Sequence, residues 1–307
     1  MPNGRAAVER APEPMTAAVQ VGALRRELAA ILGRAGLDEP DAEARDIIAA
    51  IADEARFWPS IRPAAVLPSD QAQAARSAAA HRARGAPFAY AVGRAPFRHL
   101  TLHVDEHVLI PRQETEVLVD VVLWWTQENA RRAGGVALDI GTGSGALALA
   151  LASEGGFERV IATDISSGAV RVARDNAARL ARQMRAPVDV RAGDLFAPVG
   201  DVRARVIVSN PPYISYREAA GLPGAVRDWE PPIALFAGDG GLAVTAAVIA
   251  GAVEVLEPGG LLAIEIDSQR ASASAELARA ANRYDEIRIH PDLTGRDRIL
   301  TATRKDG

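Results

Sequence analysis

Cysteine is absent from the 307-residue sequence, which excludes disulfide bonds and thiolate metal sites. No apolar run approaches the ~20 residues that a membrane-spanning helix needs, so we expect no membrane span. The sequence leads from Met1 into proline, glutamate and arginine, and it lacks the apolar core of a secretory signal peptide. These absences predict a cytoplasmic protein that has no membrane partner.

An excess of basic residues is missing as well. The formal net charge is −4 at pH 7, which argues against the wide positive surface that binds nucleic acid regardless of sequence. We therefore expect no direct nucleic acid partner. Hydrophobic residues make up 49% of the chain, which is enough to build the core of an α/β domain and of a smaller second domain.

Changes of pattern divide the chain into four predicted segments. Residues 1–15 are rich in proline, glycine and charge, which predicts a flexible tail. Helical spacing over residues 16–85 predicts three amphipathic helices, forming either a substrate-recognition domain or only a cap on the larger domain. Alternating apolar residues predict a β-hairpin linker over residues 86–110. Residues 111–307 alternate strand and helix, which predicts an open, mostly parallel sheet with helices on both faces.

Three histidines in the linker, His99, His103 and His107, share one parity of the predicted strands. Strand positions four apart are ~13 Å distant, which is too far for shared coordination of one metal ion. We therefore predict that these side chains belong to a solvated face, and we predict no metal site.

A glycine-rich loop follows the apolar run Val136–Ile140. It reads Gly141-Thr142-Gly143-Ser144-Gly145 and leads into a predicted helix. Such a loop lets a ligand approach backbone amides at a helix N-terminus, where partial positive charge gathers. The same residues also satisfy a variant of the dinucleotide fingerprint, so the loop by itself leaves a nicotinamide-dependent dehydrogenase open.

Acidic residues lie in or at the ends of three successive predicted strands. Asp139 is inside the first, Asp164 ends the second, and Asp194 ends the third, which we expect over residues 188–194. Asp164 suits hydrogen bonds to two ribose hydroxyls. Asp194, followed by Leu195, suits an adenine amino group with an apolar wall beside it.

The segment Asn210-Pro211-Pro212-Tyr213 follows the predicted strand at residues 206–209. Its two prolines fix the backbone and remove two N–H donors, so the carbonyls before and between the rings can accept hydrogen bonds. Asn210 adds a side-chain carbonyl, and Tyr213 adds an aromatic face. This cluster can hold a planar NH₂ group by both hydrogens, which a dehydrogenase does not need.

On these residues the chain resembles the S-adenosylmethionine-dependent methyltransferases that modify amino nitrogens. The segment Leu109-Ile110-Pro111-Arg112-Gln113-Glu114-Thr115-Glu116 is similar to the Pro-Arg-x-Glu-Thr-Glu segment of the HemK/PrmC family of release-factor glutamine methyltransferases. Further matches to that family lie at Gly85-Ala86-Pro87 with Tyr90 and Gly93, at Glu230-Pro231, and over residues 238–242 and 292–298.

The resemblance implies an α/β fold, in which a Rossmann-like, seven-stranded class I methyltransferase domain follows a small N-terminal helical bundle and a linking β-hairpin. It implies S-adenosyl-L-methionine as cofactor and a class-1 peptide-chain release factor as protein partner. The implied reaction is methyl transfer to the side-chain amide nitrogen of the glutamine in the Gly-Gly-Gln motif of that factor. Glutamine methylation of a ribosomal protein and adenine amino-group methylation of nucleic acid are the alternatives.

The site follows from the same motifs. The residues expected to bind the cofactor are Asp139, Gly141, Thr142, Gly143, Ser144, Gly145, Asp164, Asp194, Leu195 and Asn210. The residues expected to be catalytic are Asn210, Pro211 and Tyr213, and these three together with Pro212 are expected to contact the substrate. Asn210 and the Pro211 carbonyl would accept both amide hydrogens and turn the nitrogen lone pair toward the methyl group. Pro212 would fix the loop, and Tyr213 would wall the pocket.

Overall fold

The computed structural model describes residues 18–129 and 134–306. The tail predicted over residues 1–15 lies outside these ranges. The chain divides into two compact units, one ending at Val92 and the other starting at Gly93. This division lies later than the expected boundary at residue 85, because Val92 is buried in the core of the first unit and Phe88 packs against that core.

The first unit is mainly helical. Its helices are α1 (Val21–Arg34), α2 (Pro40–Ala52), α3 (Trp58–Ile61), α4 (Ser69–Ala83) and α5 (Phe88–Val92). Two short strands, β1 (Val19–Gln20) and β2 (Val66–Leu67), pair antiparallel. Helices α1, α2 and α4 are the predicted ones. The sequence analysis missed α3, α5 and the strand pair, because such short elements show no period.

The core of the first unit is built from one face of each long helix. Its fully buried members are Val21, Leu24, Leu28 and Leu32 of α1, Ala44, Ile47 and Ile48 of α2, and Ala72, Ala75 and Ala79 of α4. These residues recur at three- and four-residue spacing, so each helix presents an apolar stripe that needs a partner stripe.

The second unit contains the remaining elements. Its strands are β3 (Arg94–Phe97), β4 (Leu100–His103), β5 (Val136–Ile140), β6 (Arg159–Asp164), β7 (Val188–Ala192), β8 (Ala204–Ser209), β9 (Ile214–Ser215), β10 (Phe236–Ala237), β11 (Leu256–Glu265), β12 (Tyr284–Pro291) and β13 (Asp297–Arg304). Its α-helices are α6 (Gln113–Glu128), α7 (Ala146–Glu154), α8 (Ser167–Leu180), α9 (Gly224–Arg227), α10 (Pro232–Leu235), α11 (Ala243–Val255) and α12 (Ala271–Ala280). Short 3₁₀ helices span Ala181–Gln183, Tyr216–Gly221, Asp239–Gly241 and Ser268–Arg270.

Strands β3 and β4 form an antiparallel hairpin in which Phe97 lies opposite Leu100. The alternating residues Leu100, Leu102 and Val104 are all buried. Their burial explains the alternating pattern in the sequence, since one face of the hairpin packs against the core and the other faces water. Helical structure over Phe88–Val92 occupies the first part of the expected linker.

The main sheet has seven strands in the order β12-β13-β11-β8-β5-β6-β7. The pairs from β11 to β7 are parallel, and β13 pairs antiparallel with both β11 and β12. The predicted open, mostly parallel sheet is therefore confirmed. The strand order reverses between β5 and β8, which lie side by side with Ile140 opposite Ser209. In such folds the ligand site lies at the carboxyl ends of the strands near this reversal.

Helices cover both faces of the sheet because strand residues alternate between two cores. In β8, Val206 and Val208 belong to the core shared with α6 and α7, whereas Ile207 belongs to the core shared with α11 and α12. In β5, Ala137 faces the first core and Leu138 the second. Every residue of β8 is buried, as expected for a central strand of a doubly covered parallel sheet.

Within residues 18–129 and 134–306, no helix combines the length and apolar character that crossing a membrane requires. The same ranges contain no group of three or more histidine, aspartate or glutamate side chains able to hold a metal ion. His103 instead contacts the Gly93 carbonyl at 2.9 Å through Nδ1, and His107 contacts Asp105 at 3.0 Å.

Candidate active site

A cavity of about 280 Å³ lies in the second unit, beside the carboxyl ends of β5, β6, β7 and β8. The predicted site residues in its lining are Gly141, Thr142, Gly143, Ser144, Asp164, Asp194, Leu195, Asn210 and Pro212. The other predicted site residues, Asp139, Gly145, Pro211 and Tyr213, are outside this lining. The sheet thus brings together predicted site residues that are up to 71 positions apart in the sequence, from Gly141 to Pro212.

A larger open groove of about 860 Å³ lies in the helical unit, between residues of α2 and the segments that flank it. Its lining mixes acidic side chains such as Glu39 and Glu54 with Arg56 and Arg82. We place the site in the smaller cavity, because the glycine loop, the carboxylates and Asn210 all meet there.

The glycine loop is fixed by backbone contacts to β6. The amides of Gly141 and Thr142 both donate to the Thr163 carbonyl at 2.9 Å. Gly141 and Gly143 have φ values of 75° and 55°, in the left-handed region that favours glycine. A Cβ added at either glycine would meet no atom within 4 Å. Both residues therefore leave open space at the cavity wall for a ligand to approach the backbone.

Asp139 supports the loop from within the core. Its Oδ2 accepts hydrogen bonds from Thr142 Oγ1 at 2.6 Å and from the Ala148 amide at 3.1 Å. The side chain is fully buried, and burial raises its pKa to about 7, with a smaller contribution from the negative charge of Asp164. Contact of Asp139 with a cofactor stays a prediction, whereas its hydrogen bonds give it a role in shaping the loop.

We expect Asp139 to make stability depend on pH between about 4 and 7. The pKa is about 7 in the folded protein and ordinarily 3.8, so the folded state binds this proton more tightly than the unfolded state. The contribution is fully present below pH 3.8 and is lost as the pH rises through 7; a shift of this size corresponds to ~4 kcal/mol.

The isosteric variant Asp139→Asn cannot ionise. Measured by thermal unfolding at a series of pH values, wild type should lose stability relative to Asp139→Asn as the pH rises from 4 to 7. Parallel curves for the two proteins over this range would show that Asp139 does not titrate there.

Asp164 ends β6 and turns its carboxylate toward the loop. Its Oδ2 accepts from the Gly143 amide at 2.9 Å, and its Oδ1 accepts from the Ser166 amide at 2.8 Å. Burial raises the pKa of Asp164, while these backbone hydrogen bonds oppose the rise. The carboxylate is thereby held in one orientation at the cavity wall, with lone pairs left to accept from a ligand.

Strand β7 ends at Ala192, two residues before the expected end at Asp194. Leu195 has a φ of 43°, which lies outside the extended region of regular strands, so the chain turns here. The Leu195 carbonyl accepts from Thr163 Oγ1 at 2.9 Å. This contact ties the turn to β6 and brings Asp194 and Leu195 into the cavity lining.

Asn210 follows β8 and belongs to a chain of buried hydrogen bonds. Its Nδ2 donates to Thr115 Oγ1 at 3.1 Å, and Thr115 Oγ1 donates to Glu265 Oε2 at 2.6 Å. The Tyr213 hydroxyl donates to the other oxygen of Glu265 at 3.3 Å. Pro211, between Asn210 and Pro212, is buried. Asn210 thus lines the cavity while its nitrogen is anchored behind it.

Glu265 is the charged centre of this chain. It is 1% exposed at the end of β11, and burial raises its pKa, although the Thr115 hydrogen bond and the positive charge of Arg298 oppose the rise. Burial likewise raises the pKa of Tyr213, and the negative charge of Glu265 adds to that shift. The Tyr213 hydroxyl therefore stays protonated and serves as a donor to Glu265.

An ion pair between a partly exposed arginine and a buried glutamate connects two of the motifs singled out in the sequence. Arg112 Nη2 donates to Glu230 Oε1 at 2.5 Å, and Glu230 is 3% exposed. Burial raises the pKa of Glu230, and the charge of Arg112 opposes that rise. Since Arg112 also lines the cavity, the pair connects the segment before α6 to the segment before α10 at the site.

Asn176 of α8 was not predicted as a site residue. It is 1% exposed, and its Nδ2 donates to the Ser144 carbonyl at 2.8 Å and to the His103 carbonyl at 2.9 Å. Its Oδ1 accepts from the His103 amide at 2.7 Å. Asn176 of α8 therefore joins the glycine loop to the hairpin. No local sequence pattern predicts this link, because the three segments are distant in the sequence.

Comparisons with known proteins identify the family of the chain. Residues 23–93 match the family described as the PrmC N-terminal domain, and residues 116–221 match the methyltransferase small domain. The chain is 43% identical over 225 residues to the release factor glutamine methyltransferase of Moorella thermoacetica, covering 73% of this chain and 77% of that protein. It is 38% identical over 273 residues to the release factor glutamine methyltransferase of Cereibacter sphaeroides, covering 88% of this chain and 94% of that protein.

Among solved structures, a methyltransferase from Pyrococcus furiosus superposes with a TM-score of 0.52 at 19% identity, covering 78% of this chain and all of that one. At this identity the likeness concerns the fold alone. Together with the sheet order, it confirms the predicted Rossmann-like methyltransferase fold.

Proposed function

Because this chain belongs to the release factor glutamine methyltransferase family, we propose that it methylates the glutamine of the Gly-Gly-Gln motif of a class-1 peptide-chain release factor. The methyl group comes from S-adenosylmethionine and is added to the side-chain amide nitrogen. We also propose a cytoplasmic location, which a partner that acts in translation supports.

The observation that carries the proposal is the position of Asn210. It lines the same cavity as the glycine loop and Asp164, and its nitrogen is already engaged by Thr115. The carbonyl oxygen of Asn210 is therefore the side-chain atom left to accept a hydrogen bond from an incoming NH₂ group. A primary amide such as that of glutamine fits this acceptor.

The cavity residues fit S-adenosylmethionine as cofactor. The open backbone at Gly141 and Gly143 allows close approach of the ligand, and the Asp164 carboxylate offers acceptors for the two ribose hydroxyls. Asp194 and Leu195 would bind the adenine by an acceptor and an apolar contact. When bound, the cofactor supplies an electrophilic methyl group on a sulfonium.

The chain's own contribution to the reaction is to orient a poor nucleophile. The lone pair of an amide nitrogen is delocalised into its carbonyl, so positioning must supply much of the rate. We propose that Asn210 Oδ1 and the Pro211 carbonyl accept the two amide hydrogens. These acceptors turn the lone pair toward the methyl group and stabilise the positive charge that develops on nitrogen. Pro212, which lines the cavity, keeps the segment rigid.

Parallel incubations test the substrate. The full chain and labelled S-adenosylmethionine are incubated in three separate reactions, with a purified release factor, with ribosomal proteins and with DNA. The products are digested and analysed by mass spectrometry. We expect label on one glutamine of the release factor. Label on DNA or on a ribosomal protein, with none on the release factor, would overturn the substrate assignment.

We further propose that the helical unit recognises the partner protein, which its match to the PrmC N-terminal domain supports. A protein that starts at Gly93 should bind S-adenosylmethionine with unchanged affinity but methylate the release factor more slowly than the full chain does. A short Gly-Gly-Gln peptide serves as the control substrate, because it is too small to need a second surface. Equal loss of activity on both substrates would assign the helical unit a structural role instead.

A further inference from the structure

Two buried residues outside the predicted catalytic set, Thr115 and Glu265, form a chain of hydrogen bonds with Asn210, which carries the only side-chain amide among the described residues that line the cavity. Thr115 is 4% exposed in the first turn of α6, and Glu265 is 1% exposed at the end of β11. They are 150 residues apart in the sequence and are joined by the 2.6 Å hydrogen bond from Thr115 Oγ1 to Glu265 Oε2.

The direction of this hydrogen bond determines what Thr115 can offer to Asn210. A threonine hydroxyl carries one hydrogen and two lone pairs, whereas an ionised carboxylate only accepts. Because Thr115 gives its single hydrogen to Glu265, only lone pairs remain toward Asn210 at 3.1 Å. The Asn210 side chain must therefore present its NH₂ group to Thr115.

The two ends of an asparagine amide have nearly the same shape, and hydrogen-bond partners decide which end faces which way. With its nitrogen held by Thr115, Asn210 turns its carbonyl oxygen away from that contact. A donor at the Thr115 position would favour the reverse orientation and present an NH₂ group to another NH₂ group, which cannot bond.

Glu265 can act as an acceptor because donors and a positive charge surround it. Thr115 and Tyr213 each donate to one of its oxygens. Burial raises the pKa of Glu265, and the Thr115 hydrogen bond and the positive charge of Arg298 oppose that rise. Arg298 is itself held by Asp292, with 3.4 Å between Nε and Oδ2. This arrangement also explains Tyr213, which lies outside the cavity lining: its hydroxyl is directed at Glu265.

We propose that Thr115 and Glu265 are positioning residues, which fix the Asn210 amide with its carbonyl oxygen toward the acceptor nitrogen of the substrate. The inference rests on the proposed function, since it assigns these residues a task in the same reaction. It predicts that Thr115 acts on turnover through Asn210, and that Glu265 acts by holding the Thr115 hydroxyl.

The test is a double-mutant cycle in the full chain, with release factor as substrate. Thr115→Val keeps the shape of the side chain and removes the hydroxyl, and we expect kcat to fall about tenfold, equal to ~1.4 kcal/mol. The KM for S-adenosylmethionine should stay unchanged. Thr115→Ser restores the hydroxyl and should restore most of kcat. In the Asn210→Ala background, Thr115→Val should cause no further loss, because the group it positions is gone.

The possible results are distinct. The positioning role would be overturned if the double variant lost kcat by the product of the two single losses. It would also be overturned if Thr115→Val had the kcat of wild type. If Thr115→Val does not fold, the same cycle with Glu265→Gln decides the question, since a carboxamide has one acceptor oxygen and carries a donor NH₂ group in place of the second. A wild-type protein that leaves the release factor unmethylated would instead overturn the proposed function, and the two failures are thereby separated.

Discussion

Replacing Asn210 with alanine should lower kcat by about 100- to 1,000-fold, the range found when one preorganised transition-state hydrogen-bonding group is removed from an active site. The reason is that Asn210 is the lining side chain whose carbonyl oxygen can hold the amide of the substrate. Steady-state kinetics on the release factor measures kcat, and calorimetry measures S-adenosylmethionine affinity, which should change much less.

Asn129 provides a matched control. It caps the C-terminus of α6 and donates through Nδ2 to the Trp125 carbonyl at 3.0 Å. Asn129→Ala removes the same chemical group from a position that does not line the cavity, so its kcat should equal that of wild type. A normal kcat for Asn210→Ala would refute the mechanism proposed for the acceptor amide.

Replacing Asp164 with alanine should weaken S-adenosylmethionine binding by roughly 100-fold or more, because charge-assisted hydrogen bonds contribute about 1.5–3 kcal/mol each. The loss has two physical origins. The acceptors for the ribose hydroxyls disappear, and the amides of Gly143 and Ser166 lose the partner that orients the loop. Isothermal titration with the cofactor measures the change directly.

Asp189 serves as the control for this variant. It lies on β7, its side chain is 45% exposed, and it pairs with Arg191. Asp189→Ala removes an equal charge from the same sheet outside the cavity lining, and the affinity should be unchanged. If Asp164→Ala also bound the cofactor with wild-type affinity, Asp164 would have no place in the cofactor site.

The sheet could be predicted from the sequence because its central strands are covered on both faces. Runs such as Val206–Ser209 in β8 and Leu261–Glu265 in β11 are continuous apolar stretches that end in a polar residue. The first and last residues of the strands are harder to predict from the sequence. Strand β11 starts at Leu256, directly after α11 ends at Val255, because Leu256 already pairs with Ala204 of β8.

The sequence predicts those parts of the candidate site that lie within one short segment, and it does not predict the contacts between distant segments. The glycine loop and Asn210 each follow a predicted strand and lie in segments of distinctive composition. Thr115 and Glu265 are joined only by the folding of α6 against β11, and their pairing has no local signature. One signal could have pointed to Glu265: a charged residue that ends an apolar run is costly to bury and therefore needs a partner.

The loop proposed to bind the cofactor and the segment proposed to hold the acceptor amide follow neighbouring strands. Ile140 of β5 lies opposite Ser209 of β8, and Ser209 Oγ donates to the Ile140 carbonyl at 2.7 Å. Adjacent strands are ~4.8 Å apart in every sheet, whatever their side chains. The backbone spacing of β5 and β8 therefore sets the distance between the two loops that follow them. Substitutions in either loop can change affinity or the choice of acceptor, while the spacing of the two strands stays the same.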